Sequence, residues 1–77
     1  MRKRSVTIDG HRTSVSLEDA FWTELAAIAR RRGQPLAALV AEVDRARASG
    51  PAATANLSSA LRLYVLDDLR ERTISPA

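Results

Sequence analysis

The strongest constraint in this sequence is a two-residue turn, Asp9-Gly10, between two stretches in which polar and β-branched residues alternate: Arg4-Ser5-Val6-Thr7-Ile8 and His11-Arg12-Thr13-Ser14-Val15-Ser16-Leu17. Aspartate followed by glycine supplies the positive φ angles of a type I′ loop, so the pattern reads as strand 4–8, turn, strand 11–17. Loop length then fixes the register, with residue 8 opposite 11, 6 opposite 13, 5 opposite 14 and 4 opposite 15. One face of the hairpin carries Val6, Ile8, His11, Thr13 and Val15. The other carries Lys3, Ser5, Thr7, Arg12, Ser14 and Ser16, all cations or hydrogen-bond donors. A slip of one residue would mix the two sets, which argues for this register.

Beyond Leu17 the period of the apolar residues changes from two to that of a helix. Phe21, Trp22, Leu25, Ile28 and Ala29 form one stripe of a helix over 18–32. Ser16-Leu17-Glu18-Asp19 has the spacing of a capping box, and Glu18 and Asp19 suit the positive end of the helix dipole. At the other end Arg30, Arg31 and Arg32 suit the negative end, and Gly33 can take the left-handed conformation that closes a helix. Pro35 is placed as the first residue of a second helix over 35–48, with Leu36, Leu39, Val40 and Val43 as its buried stripe. Residues 49–55 read as a linker, and Asn56 caps a third helix over 57–72. Its apolar positions Leu57, Leu61, Tyr64, Val65 and Leu69, with Ala60, Leu63 and Leu66 beside them, cover more than half of its circumference. So broad a surface asks for more than one neighbour and hints at a dimer. Thr73 to Ala77 reads as a frayed end.

A chain of 77 residues is one small domain, and it has no cysteine and a single histidine. Disulfides and multi-histidine zinc sites are thus excluded as supports for a small core, leaving oligomerisation or close helix packing. With 45% hydrophobic and 27% charged residues the composition is that of a folded chain. No apolar run approaches the roughly 20 residues of a membrane span, and Met1-Arg2-Lys3-Arg4 leads into polar residues, so a cytoplasmic protein without a signal peptide is expected. The formal charge of +3 lies wholly in the first sixteen residues, where Arg2, Lys3, Arg4 and Arg12 face one acid, Asp9; later stretches balance. Such a basic arm suits a polyanion, or a solvated tail.

Chemistry beyond binding finds little footing. His11 stands two residues from Asp9 across a tight turn and reads as a strand or turn histidine in preference to a general base. Asp67 and Asp68 point about 100° apart on a helix, so with Glu71 they read as a solvated face in preference to a cation site. Arg30 to Arg32 are explained by the helix dipole without a phosphate, and Trp22 reads as core or dimer interface before it reads as a base-stacking platform. No glycine-rich phosphate loop, zinc-protease or serine-hydrolase motif occurs. An enzyme, a metal or a cofactor is therefore not expected.

The run Thr13-Ser14-Val15-Ser16-Leu17-Glu18-Asp19-Ala20-Phe21-Trp22, continuing to Arg30-Arg31-Arg32-Gly33, resembles the ribbon-helix-helix proteins of the Arc/MetJ class. Lys3-Arg4-Ser5-Val6-Thr7-Ile8 and Asn56-Leu57-Ser58-Ser59-Ala60-Leu61-Arg62 make the chain similar to a small bacterial branch with an appended C-terminal helix. The resemblance implies a mostly α fold with a short N-terminal β ribbon, an intertwined homodimer, and a third helix. It also implies sequence-specific binding of double-stranded DNA by a transcriptional regulator, with the ribbon in the major groove. Arg12, Ser14 and Ser16 match the base-reading positions, while Arg2, Lys3, Arg4, Ser5 and Thr7 would follow phosphates. Val15, Leu17, Phe21, Trp22, Leu25, Ile28, Leu36, Leu39, Val40 and Val43 would form the dimer or core. Two positions depart from the pattern. Gln34-Pro35 stands where the family has a serine or threonine cap over a phosphate, and Ser16 is claimed by both the helix cap and the DNA. The rival expectation on the same fold is a protein-interaction or antitoxin-like module using Leu57, Leu61, Tyr64 and Val65.

Overall fold

The computed structural model describes residues 2–8, 10–49 and 56–74. In chain order it contains β1 (Arg2–Ile8), β2 (His11–Leu17), α1 (Asp19–Arg31), α2 (Leu36–Ser49) and α3 (Leu57–Ile74). The strands pair antiparallel with Ile8 opposite His11, Val6 opposite Thr13, Ser5 opposite Ser14 and Arg4 opposite Val15, the register that the loop length dictates. Gly10 has φ +82°, as the second position of a type I′ turn requires. β1 starts two residues before the expected strand because β2 extends to Leu17 and gives Arg2 and Lys3 partners in Leu17 and Ser16. The start of the basic arm is thereby part of the sheet.

The same pairing overturns the expected capping box. Ser16 stays extended in β2, and Glu18 is the N-cap of α1, its carbonyl accepting from the amides of Phe21 at 3.0 Å and Trp22 at 3.1 Å with no side-chain cap bond. The far end of α1 follows expectation: the Gly33 amide donates to the Arg30 carbonyl at 3.1 Å and that of Gln34 to the Ala29 carbonyl at 3.0 Å. This is a Schellman closure, and Gly33 supplies its left-handed residue at φ +67°. α2 begins one residue after Pro35, whose carbonyl accepts from Ala38 and Leu39. Asn56 caps α3 through its side-chain oxygen, 2.7 Å from the Ser59 amide nitrogen. α3 runs to Ile74, past the expected end at residue 72 and into the segment expected to fray. Ser49, expected in the linker, is the last residue of α2; the rest of that linker, 50–55, the turn residue Asp9 and residues 75–77 lie outside the described residues.

The core lies between the apolar face of the hairpin and the three helices. Ile8, Val15, Leu17, Trp22, Leu25, Ile28, Ala29, Leu39, Val40, Ala41, Val43, Leu61 and Val65 are buried within the single chain. Val6, Phe21, Leu36, Leu57, Ala60 and Tyr64 pack half-buried around them. Of the ten residues expected in a dimer or core, eight are buried within the chain, and Phe21 and Leu36 are half-buried. Leu61 and Val65, expected to meet another protein, are instead 0% and 1% exposed, because α3 lies at once on α1, α2 and β2 and closes the flank that the hairpin leaves open. The apolar side chains that α3 leaves outside are Leu63, Leu66 and Leu69.

Ion pairs set the orientation of α3. Arg62 meets Glu18, Asp68 meets Arg31 at 3.0 Å, and Arg72 meets Glu24 at 3.4 Å. Arg32 holds the Tyr64 hydroxyl at 2.7 Å and the Glu42 carboxylate at 3.1 Å. Partly exposed pairs of this kind add little stability singly, but together they select one packing of a helix that is apolar nearly all round. Two of the three arginines closing α1 are therefore structural.

Candidate nucleic-acid interface

Alternation along the hairpin sorts its side chains by face. Lys3, Ser5, Thr7, Arg12 and Ser14 are exposed and Ser16 is half-buried, while Ile8, Val15 and Leu17 behind them are buried. The result is a flat polar surface on an apolar support. All three residues matched to base reading lie on it, in line along β2, with Lys3, Ser5 and Thr7 opposite them on β1. Among the described residues no carboxylate pairs with Lys3 or Arg12. The face therefore presents net positive charge.

Arg4 is placed elsewhere. It shares the side of Val6 and Ile8, and its guanidinium lies over the Trp22 ring, 5.2 Å from the centroid. With this cation–π contact in place the indole is 2% exposed, so Trp22 is part of the core and not a stacking surface. The side chain of Arg2 lies outside the described residues.

The backbone of β2 has a second property. In a two-residue hairpin the pair flanking the loop, here Ile8 and His11, exchanges both hydrogen bonds, and bonded and non-bonded pairs then alternate. The amides and carbonyls of Arg12, Ser14 and Ser16 accordingly point away from β1. The Ser16 carbonyl agrees with this, accepting from the Ser58 hydroxyl of α3 at 2.8 Å. Arg12 and Ser14 have no such partner among the described residues, so the outer edge of β2 is open along that stretch.

Next to Ser16 sits Glu18, gripped by Arg62 through two bonds, Nε to Oε1 at 2.9 Å and Nη2 to Oε2 at 3.2 Å. That hydrogen bonding, with a further bond from its own backbone amide, lowers the Glu18 pKa below the usual carboxylate range. Ser58 and Arg62 escaped the sequence reading as site residues, because each acts on the hairpin end from more than forty positions away. Their only sequence signal is the Asn56-to-Arg62 run itself.

The remaining candidates form no reactive group. His11 is exposed at a cleft of about 330 Å³ lined also by Thr13, Asp44 and Arg47, and Asp44 is held by Arg47 at 2.6 Å. Asp68 lies between Arg31 and Arg72, both at 3.0 Å. Gln34, in the place of a cap before α2, has its side-chain amide nitrogen buried without a hydrogen-bond partner among the described residues. Nothing here points to catalysis.

A family model described as a ribbon-helix-helix domain matches residues 1–69. No curated protein and no solved structure matches the chain.

Proposed function

The chain belongs to the ribbon-helix-helix domain family, and from that membership we propose that it is a homodimeric, sequence-specific double-stranded DNA-binding protein, a transcriptional regulator of the bacterial cytoplasm. The observation that carries this reading is the hairpin's exposed polar face, unpaired in charge, beside an open β2 edge. An unpaired strand edge is a template for another strand, and pairing β2 with β2 of a second copy covers it while joining the two polar faces. The reading needs no cofactor. Among the described residues no helix is long and apolar enough to cross a membrane.

Groove dimensions divide the labour between the strands. Two β2 strands about 4.8 Å apart fit a major groove about 12 Å wide, whereas the outer β1 strands of such a four-stranded sheet would stand about 14 Å apart. β2 then enters the groove and β1 rests on its walls. Arg12 reads a guanine through O6 and N7, and Ser14 and Ser16 offer donor or acceptor to base edges. Lys3, Ser5 and Thr7 hold phosphates, while Arg4, stacked on Trp22, supports the sheet from behind.

Selection from random duplexes at two salt concentrations tests the proposal. It is expected to recover a palindromic motif, with log K falling against log[salt] by about 0.9 per phosphate neutralised. Binding with no motif at either salt would reduce the face to a non-specific polyanion surface.

A second reading attaches to α3. Leu63, Leu66 and Leu69 are 54%, 44% and 39% exposed, an apolar stripe on the side away from the core that suits the docking of another protein. On that reading Leu66→Glu weakens the hold of the partner and leaves DNA selection unchanged, and an unchanged complex would rule this stripe out.

A further inference from the structure

The strand proposed to read bases is held at one end by α3. Three consecutive positions at the strand-to-helix joint are fixed, each by a different kind of contact. The Ser16 carbonyl accepts from Ser58 Oγ at 2.8 Å. The Leu17 side chain is 0% exposed in the core, alongside Leu61 of α3 at 0%. The Glu18 carboxylate takes the two-pronged Arg62 grip at 2.9 and 3.2 Å. The donors Ser58 and Arg62 are one helical turn apart on α3, and the helix start is itself fixed by the Asn56 cap at 2.7 Å. Among the described residues no comparable fixing is found at Arg12 and Ser14, which are exposed with an open backbone edge.

We propose that Ser58 and Arg62 are positioning residues for DNA reading, through which α3 sets the height and rotation of Ser16 on the recognition surface. This rests on the reading of the hairpin face given above. Serine is short and its hydroxyl rotates, so by itself it discriminates weakly between bases. A serine whose backbone is tied at the carbonyl and whose next two residues are immobile presents its hydroxyl from one place, and pre-organisation of this kind turns a tolerant contact into a selective one. The Ser58 bond also occupies the outward side of the strand at Ser16, so it marks where the open edge of β2 ends. Arg62 acts one step further back, through the N-cap of α1.

The test compares selected motifs from the full-length protein and its Ser16→Ala, Ser58→Ala and Arg62→Gln variants, with thermal melts to confirm that each is folded. Ser16→Ala identifies the base pair that Ser16 reads. Ser58→Ala is expected to melt close to the parent and to lose preference at that same base pair by roughly three- to tenfold, the worth of one neutral hydrogen bond, while the base pair read by Arg12 keeps its preference. Arg62→Gln is expected to act on the same position. A merely structural role would lower affinity for all sequences evenly. An even loss, or a motif unchanged in Ser58→Ala, overturns the positioning role and leaves DNA binding standing. A parent protein that selects no motif, or a motif indifferent to Ser16→Ala, overturns the reading of the face and the positioning role with it.

Discussion

Arg12→Ala is expected to abolish preference at one base pair in each half-site, at a cost of about 1–3 kcal/mol per half-site. Two half-sites make that about 2–6 kcal/mol, a loss of about thirtyfold to about 25,000-fold on a palindromic duplex. The reasoning starts from geometry: Arg12 is the guanidinium on the exposed hairpin face, opposite Thr7 and without a carboxylate partner among the described residues. A forked donor facing an open groove matches guanine at two points, and no serine on that face can replace it. Arg12→Lys separates base reading from simple attraction, since it keeps the charge and loses the fork. It is expected to retain the salt dependence and to lose the preference. If Arg12→Ala instead lowers the salt slope and leaves the sequence preference intact, the residue holds a phosphate, and base reading by this face would have to rest on the two serines.

Leu61→Ala is expected to destabilise the chain by about 2–5 kcal/mol. For a domain of 77 residues that is a large part of its total stability, and it lowers the midpoint of thermal unfolding by at least about 10 °C or leaves the chain unfolded. Leu61 is 0% exposed in the buried cluster, so truncation leaves a cavity inside it. Leu63→Ala, at a side chain 54% exposed, is expected to stay within about 0.5 kcal/mol of the parent. Denaturant melts of the two variants distinguish a helix that completes the core from one that merely lies against it. Equal effects, or a larger one at Leu63, would mean that α3 sits the other way round.

The hairpin was legible in the sequence because two independent signals, turn chemistry at Asp9-Gly10 and alternation on either side, agree on one register, and the structure reproduces it pair by pair. The end of α1 was legible for a similar reason, since Gly33 admits the left-handed φ that closes a helix and the basic residues before it suit its dipole. Ser16 shows the limit of local spacing. Its distance from Asp19 fits a capping box, but pairing with Lys3 across the sheet holds it extended, and a contact outside the local window prevails. The facing of α3 was hidden for another reason. Apolar residues on nearly all sides leave the periodicity without a preferred direction, and what selects the inner face is the line Leu61, Val65, Asp68 and Arg72, whose charged members find Arg31 and Glu24 on α1. That complementarity is written in the sequence, but only the three-dimensional pairing makes it readable. Alternation made the exposed hairpin face legible, whereas Arg4 lies on the other side over Trp22 and Ser58 and Arg62 reach the hairpin end from α3.

The chain closes its own hairpin through a two-residue turn and buries its core within itself, which bears on how the proposed dimer would assemble. In the proposed dimer, two such copies would join along the β2 edge as finished bodies in a second-order step. Partner exchange then demands only that two strand edges separate, with no passage through an unfolded state. A population of such dimers would remix on the timescale of dissociation, and two sister chains with different hairpin faces, placed in one cell, would form hybrids able to recognise asymmetric sites.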